Sequence, residues 1–255
     1  MPDLFVIAGP NGAGKSTAAP LLIGQRLGIR EFVNADVIAA GLSAFAPERV
    51  AIEAGRIMLR RLDELVDAGA DFAFETTLAS RSFAPWIARL RAERGYRFHL
   101  AFLWLPSPEM AVMRVAGRVR HGGHAVPVPD VRRRYERGLR NFFDLYRPIA
   151  DTWALYDNSD PPPAVVASRD MGRPEAVSDA ARWAAIQGRV GTMEPQASYL
   201  DDREPCLMGV PASEVTEILA RAGREAIARH RALGIPVVIW RDGKPVEVPA
   251  DELLR

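Results

Sequence analysis

The sequence predicts an α/β protein in which a mostly parallel sheet carries helices on both faces. Two observations lead to that prediction. Short apolar runs alternate with amphipathic stretches through the first two-thirds of the 255 residues, and such alternation is typical of parallel sheets covered on both sides. The first apolar run, at 4–8, leads directly into a glycine-rich segment, and the carboxyl ends of strands are where such sheets bind ligands.

The individual elements follow from hydrophobic periodicity and from the glycines and prolines that interrupt it. Strands are predicted at 4–8, 31–35, 72–75, 98–105, 153–156 and 164–167. Helices are predicted at 16–27, 47–68, 85–94, 109–120, 129–146 and 176–187. Gly69 and Gly95 end two of these helices, and Pro106 ends the most apolar strand.

The C-terminal part of the chain has a different pattern. A stretch rich in Gly, Pro and charge at 191–211 reads as a linker between a main domain, 1–190, and a small unit, 212–255. That unit is expected to hold a helix capped by Ser213 and a hairpin turning at Asp242-Gly243, a strong two-residue turn signal. One helix and one hairpin bury little core alone, so we expect the unit to dock on the main domain or on a partner.

Composition excludes several functional classes. The net charge of +1 argues against a general binder of nucleic acid or membrane surfaces. The single cysteine, Cys206, excludes an intramolecular disulfide and suits a reducing compartment. No leader pattern and no membrane-length apolar run is visible. We therefore expect a cytoplasmic protein.

A phosphate-binding loop is the most specific motif. Its residues are Gly9, Pro10, Asn11, Gly12, Ala13, Gly14, Lys15, Ser16 and Thr17. They form a complete G-x-x-x-x-G-K-[ST] motif between a strand and a helix, the context that the motif requires. Only two of the 33 basic residues are lysines, and one closes this loop. The sequence thus predicts a P-loop NTPase-type doubly wound fold that binds ATP, with Mg²⁺ on the hydroxyl of Ser16.

Two carboxylates end neighbouring predicted strands. Asp36 follows the second strand, which we expect beside the phosphate loop, and could take a proton from a substrate hydroxyl. It could equally cap the next helical turn. Glu75, followed by Thr76, ends the third strand and could hold Mg²⁺ through water or bind substrate. Its alternative role is a helix or turn cap.

Arginines are concentrated on two consecutive predicted helices, 109–120 and 129–146. The eight are at 114, 118, 120, 132, 133, 134, 137 and 140. With Gly122-Gly123 between them, they suit a mobile lid that supplies positive charge to a transferring phosphoryl group. We expect two to be catalytic and most of the others to lie on a solvated face. His121 and His124 give only a weak zinc signal.

The ordered set of motifs resembles the zeta-toxin family of small P-loop kinases over about residues 3–190. Besides the loop, the resemblance rests on 32–36 (FVNAD), 74–77 (FETT), 120–124 (RHGGH), Val126-Pro127, 132–135 (RRRY) and 156–159 (YDNS). It implies that Asp36 is the catalytic base and that Glu75 and Thr76 contact substrate. It also implies an arginine pair about thirteen positions apart, which Arg120 and Arg133 match. Arg118 and Arg134 are the alternatives and are expected at the nucleotide.

Family members phosphorylate UDP-N-acetylglucosamine and are held inactive by a helical antitoxin, so the resemblance implies a toxin-type kinase with such an acceptor. Other acceptors left open are another nucleotide sugar, an antibiotic or other small alcohol, and a nucleic-acid end. An ATP-driven switch without transfer chemistry is a further alternative. The unit 212–255 lies outside the resemblance and could be a tethered inhibitor, a dimerisation element or a stabilising extension.

Overall fold

A computed structural model describes residues 1–120, 125–191 and 206–253. Its strands are β1 (Asp3–Ala8), β2 (Glu31–Val33), β3 (Phe72–Thr76), β4 (Arg97–Trp104), β5 (Thr152–Asp157), β6 (Ala164–Arg169), β7 (Glu175–Val177), β8 (Cys206–Leu207), β9 (Val210–Pro211), β10 (Val237–Arg241) and β11 (Lys244–Val248). Its α-helices are α1 (Lys15–Ala19), α2 (Ala35–Leu42), α3 (Ala51–Asp67), α4 (Phe83–Arg94), α5 (Pro108–Val119), α6 (Val128–Asn141), α7 (Ala180–Val190) and α8 (Ala212–Ala232). Shorter helical turns lie at Pro20–Arg26 and Phe142–Tyr146 (both π-helical) and at Pro47–Val50 and Ala250–Leu253 (both 3-10).

Within the described ranges, seven strands form one sheet in the order β2-β3-β1-β4-β5-β6-β7. The pairs from β2 through β5 are parallel, and β6 and β7 add antiparallel strands at one edge. Alternate residues of β1 point to opposite faces, so Leu4 and Val6 join one apolar cluster while Phe5 and Ile7 join the other. Both faces are covered, which confirms the predicted fold class.

The position of the second strand corrects one expectation. β2 does not lie beside the strand that carries the phosphate loop, because β3 lies between β2 and β1. β3 pairs with β1 along its full length, with Glu75 opposite Ile7, whereas β2 is three residues long and pairs only with β3. Glu75 is therefore one strand closer to the loop than Asp36.

Several element boundaries differ from the predicted ones. The helix predicted at 47–68 begins with a 3-10 turn, and the one predicted at 129–146 ends with a π-helical turn. The region predicted as a helix at 176–187 contains the edge strand β7, followed by α7. Asp179 caps the N-terminus of α7, because its Oδ1 accepts a hydrogen bond from the amide of Arg182 (2.9 Å). The end of the predicted linker is also structured, since β8 and β9 pair and bury Leu207 and Val210.

The C-terminal unit packs against the main domain. The apolar side of α8, including Val215, Leu219 and Ala222, shares one cluster with Phe5 and Ile7 of β1. The β10–β11 hairpin turns at 242–243, where both residues have positive φ (53° and 75°), as the Asp-Gly pair predicted. The helix follows Pro211 without a side-chain cap, so the predicted cap at residue 213 is wrong. The domain boundaries at 190 and 212 stay a prediction.

Across the described residues, every helix is too short or too polar to cross a membrane.

Candidate functional site

The phosphate loop is held against the sheet by close backbone contacts. A Cβ on Gly9, whose φ is +137°, would lie 2.2 Å from the carbonyl oxygen of Leu103 in β4, so only glycine fits there. At the other end of the loop, the Gly14 carbonyl accepts from the amide of Ala18 (3.0 Å) and begins α1. Asn158, just after β5, donates its amide to the carbonyl of Ala13 (2.7 Å). The loop is thus fixed by two strands before any ligand binds.

Lys15 is buried at the centre of this loop. Its Nζ donates to the carbonyl of Pro10 at 2.9 Å and lies 3.7 Å from Oε1 of Glu75. Burial lowers the pKa of Lys15 below its ordinary value, and the charges of Glu75 and Asp36 act in the opposite direction. A bound triphosphate would add negative charge beside the ammonium, so the site favours an anionic ligand.

Glu75 connects three elements at the carboxyl edge of the sheet. Its Oε2 accepts from Oγ of Ser16 (2.7 Å) and from Nδ2 of Asn34 (2.8 Å). These bonds go to side chains, so Glu75 does not act as the helix or turn cap considered from sequence. The neighbouring Thr76 accepts from the amide of Leu78 (3.1 Å) and shapes the turn after β3.

Asn34 is the N-cap of α2, the role considered for Asp36. Its Oδ1 accepts from the amides of Asp36 (2.8 Å) and Val37 (3.4 Å). Asp36 lies in the first turn of α2 with its side chain exposed. Because capping is done by Asn34, the carboxylate of Asp36 is available to a ligand.

Two cavities open at these residues. The loop cavity, of about 540 Å³, is lined by the phosphate loop, Arg114, Gly117, Arg118 and residues 226–238 of the C-terminal unit. The α3 cavity, of about 410 Å³, is lined by 34–36, by Ile52, Gly55, Arg56, Met58 and Leu59 of α3, by 75–77, and by Ser80, Ser82, Phe83 and Arg134. Both volumes are in the range of ligand sites, ~300–1,000 Å³. The two cavities meet at Asn11, Lys15, Asp36 and Glu75.

The structure separates the candidate arginines into two sets. Arg118 lines the loop cavity and Arg134 lines the α3 cavity. Arg120 forms an ion pair with Glu247 of the hairpin, and Arg133 pairs with Asp130 (2.8 Å) on its own helix. Neither Arg120 nor Arg133 is among the residues that line the two cavities. The predicted lid residues His121, Gly122, Gly123 and His124 lie outside the described residues.

The oxygen atoms at the junction are suitable ligands for a magnesium ion. Ser16 and Glu75 supply oxygen atoms, which Mg²⁺ prefers, and Mg²⁺ at nucleotide sites uses few protein ligands. Oδ1 of Asn11 is buried and has no hydrogen-bond partner among the described residues, so one acceptor at the junction is left for a ligand. Within 1–120, 125–191 and 206–253, no group of three or more His, Cys, Asp or Glu side chains could hold a metal by itself.

Two residues at the site were missed as site residues by sequence reasoning. Asn34 lies within the segment 32–36, and its position just before a helix is a cap signal that identifies its local role. Arg56 lines the α3 cavity from α3, where one arginine among several on an amphipathic helix gives no signal.

Arg114, in α5, has a structural role that its place among the eight arginines does not predict. It donates to the carbonyls of Asn158 (2.8 Å), Ser159 (2.8 Å) and Val238 (3.1 Å). Arg114 therefore connects three segments: α5, the residues just after β5, and strand β10 of the hairpin. Burial lowers the pKa of Arg114 to about 10. Its role is therefore to hold these three segments together.

Comparisons with known proteins agree with this geometry. The family model described as Zeta toxin matches residues 1–152. An uncharacterized protein of Haemophilus influenzae is 28% identical over 129 residues, which are 50% of this chain and 88% of that protein.

Among solved structures, the AvrRxo1-ORF1:AvrRxo1-ORF2 complex with sulphate ions is similar with a TM-score of 0.62 at 18% identity, covering 88% of this chain and 76% of that chain. The same complex solved with ATP gives the same score and coverage. The PezAT chromosomal toxin-antitoxin system of Streptococcus pneumoniae is similar with a TM-score of 0.52 at 15% identity, covering 88% and 87%. At these identities the likeness shows the fold.

Proposed function

The chain belongs to the zeta-toxin family of P-loop kinases, and from that premise we propose that it transfers the γ-phosphate of ATP to a hydroxyl group of a small metabolite. The observation that carries the proposal is the junction of the loop cavity and the α3 cavity at Lys15, Asp36 and Glu75. A phosphate donor in the loop cavity and an acceptor in the α3 cavity would meet at this junction. There, Asp36 would serve as the base, Lys15 as the cation and Glu75 as an oxygen ligand for a metal ion.

The phosphates of ATP bind the backbone N–H groups of the loop, with Lys15 beside the β- and γ-phosphates. ATP as the donor is supported by the loop itself and by the ATP complex of AvrRxo1-ORF1:-ORF2. Ser16 would hold Mg²⁺ directly and Glu75 through water, and the bound ion supplies positive charge that offsets the phosphate oxygens.

Transfer then needs a base and positive charge around the moving group. Asp36 accepts the proton of the acceptor hydroxyl, the hydroxyl oxygen forms a bond to the γ-phosphorus, and the bond from that phosphorus to ADP breaks. Arg118 from the donor side and Arg134 from the acceptor side neutralise the equatorial oxygens. We assign this pair, in place of Arg120 and Arg133, because Arg118 and Arg134 line the cavities.

The lining of the α3 cavity supports an anionic acceptor rich in hydroxyl groups. Arg56 and Arg134 supply positive charge, Ser80 and Ser82 supply hydroxyls, and Phe83 supplies an aromatic ring. This chemistry suits a nucleotide-activated amino sugar such as UDP-N-acetylglucosamine, the acceptor that the family resemblance implies.

The test is mass spectrometry of a metabolite extract incubated with the full chain, ATP and Mg²⁺, with Asp36→Asn as the matched control. We expect one phosphoryl group to be added to UDP-N-acetylglucosamine by the wild-type chain only. Phosphorylation of a different metabolite would retain the mechanism and replace the acceptor. Absence of any phosphorylated product, with ATP still bound, would favour an ATP-driven switch.

We also propose a separate inhibitory partner, supported by the toxin-antitoxin system among the similar structures. Induced expression of the chain alone is expected to arrest bacterial growth, and expression of Asp36→Asn is expected to be harmless. Equal growth of both strains would argue against a toxin that needs such a partner.

A further inference from the structure

A small cavity of about 130 Å³, which we call the α8 slot, is continuous with the loop cavity on the side away from the α3 cavity. One wall is Gly14, Thr17 and Ala18, a second is the segment 158–163 after β5, and the third is the C-terminal unit. The third wall consists of Leu219, Ala222, Gly223, Ala226, Ile227 and His230 of α8, with Val237 and Ile239 of β10. More than half of this lining therefore comes from residues outside the family match at 1–152.

We propose that the α8 slot binds the base of ATP, with the rest of the nucleotide in the larger loop cavity, so that the C-terminal unit forms part of the nucleotide site. The inference rests on the proposed binding of ATP at the phosphate loop. It assigns to residues 219–239 a role in ligand binding rather than in blocking the site.

The order of the three cavities carries the argument. The α3 cavity meets the loop cavity at Lys15, and the α3 cavity and the α8 slot share no lining residue. The α8 slot meets the loop cavity on the opposite side, and the residues that line both are Gly14, Thr17, Arg114, Ala226, His230 and Val237. In a phosphate loop the lysine contacts the β- and γ-phosphates. A triphosphate directed with its γ-phosphate toward Lys15 and the α3 cavity therefore directs its nucleoside toward the α8 slot.

The slot has the chemistry of a site for a flat ring with polar edges. Ala222 and Ile227 on one side and Pro161 on another give apolar surfaces, as in most small-molecule sites. His230 donates from Nδ1 to the carbonyl of Pro236 (3.3 Å), which leaves Nε2 of the neutral ring as an acceptor for an amino or hydroxyl group. Asp160 adds a carboxylate to the lining.

Gly223 lines the slot without a side chain. Glycine inside a helix costs about 1 kcal/mol relative to alanine, yet it occupies the middle of α8 at a position that lines the slot. A Cβ built on it has no neighbour within 4 Å, so a larger side chain there would extend into free space. A large side chain at this position therefore has room to occupy the slot, which makes residue 223 a suitable place to test it.

The third wall is fixed in place by polar contacts on both sides of the slot. The Trp240 amide donates to Oδ1 of Asp160 (3.0 Å), and Arg114 donates to the carbonyl of Val238 (3.1 Å). Arg26, after α1, forms an ion pair with Glu214 near the start of α8. The unit is therefore attached at the start of α8 and again at β10, which suits a permanent wall.

The test compares two ligands on the full chain by calorimetry: ATP, which carries a nucleoside, and tripolyphosphate, which does not. We expect Gly223→Leu to weaken ATP binding by about 10- to 200-fold, the range for a steric change in a pocket, and to leave tripolyphosphate affinity unchanged. Gly188→Leu is the matched control, since Gly188 is an exposed helix glycine that also has no neighbour within 4 Å, and it should change neither affinity.

His230→Ala is a second variant that does not add bulk. Because His230 also lines the loop cavity, both ligands are measured on this variant, and the loss of affinity should be larger for ATP than for tripolyphosphate. Wild-type affinity for ATP in both variants would overturn the proposal that the α8 slot binds ATP. Tighter ATP binding by Gly223→Leu would also overturn it and would favour a tethered inhibitor. If the wild-type chain binds neither ligand, the proposed function fails together with the slot, whereas binding of tripolyphosphate with no preference for ATP rejects the slot alone.

Discussion

Replacing Gly138 by alanine is expected to slow phosphoryl transfer without weakening ATP binding. A Cβ at this position of α6 would lie 2.2 Å from the carbonyl oxygen of Thr77, whereas ordinary contact begins at 3.4 Å. Asn141, also on α6, donates to the carbonyl of Leu78 (2.7 Å), so the helix is attached to the same turn. The added methyl group must therefore separate α6 from the end of β3, and Arg134 moves with the helix.

The magnitude follows from that displacement. A misplacement of about 1 Å in a catalytic group can cost about 10²-fold in rate, so we expect kcat to fall by about that factor. Overpacking costs about 1–3 kcal/mol, and alanine regains about 1 kcal/mol of helix propensity over glycine. The free energy of unfolding should therefore fall by up to about 2 kcal/mol.

Steady-state kinetics, ATP calorimetry and denaturant unfolding on the same preparations measure these three quantities. Gly188→Ala is the control, because its Cβ would meet no neighbour, and it should raise the free energy of unfolding without changing kcat. An unchanged kcat for Gly138→Ala would refute the argument that the contact between α6 and β3 positions Arg134.

Three further outcomes are expected. Arg118→Ala should lower kcat by about 10³-fold or more, as loss of an arginine that stabilises the transferring phosphoryl group does. Arg120→Ala should leave kcat unchanged, because the side chain of Arg120 pairs with Glu247. Equal losses of kcat in the two variants would contradict the assignment of Arg118. Burial lowers the pKa of Lys15 below its ordinary value of 10.5, and only the charged amine pairs with phosphate. The affinity for ATP, measured by calorimetry at increasing pH, should therefore begin to fall below pH 10.5. An affinity that stays constant up to that pH would contradict this. Arg114→Met leaves three carbonyls without their donor and should lower the free energy of unfolding by about 2–3 kcal/mol, which an unchanged denaturation midpoint would exclude.

The sequence was sufficient where chemistry and local geometry coincide. The phosphate loop is specified by residues adjacent in the chain, and the Asp-Gly turn of the hairpin needs only two residues. The alternation of elements was also enough for the fold class, because parallel strands with covering helices have a distinctive apolar pattern.

The remainder depends on contacts between distant segments, which a single sequence does not contain. The insertion of β3 between β1 and β2 is decided by pairing over the length of β1, so the nearer carboxylate is Glu75 and not Asp36. Similarly, Arg118 and Arg120 are two positions apart, and only the packing of the hairpin directs one to a cavity and the other to Glu247.

The contact between α8 and the helical turn that follows α1 has a consequence for protein synthesis. Arg26 and its partner Glu214 are 188 positions apart, and ribosomes add about 5–20 residues per second. About ten to forty seconds therefore separate the emergence of these two segments. During that interval the nascent chain carries the phosphate loop without the helix that packs beside it, and the two come together only after α8 has left the ribosome.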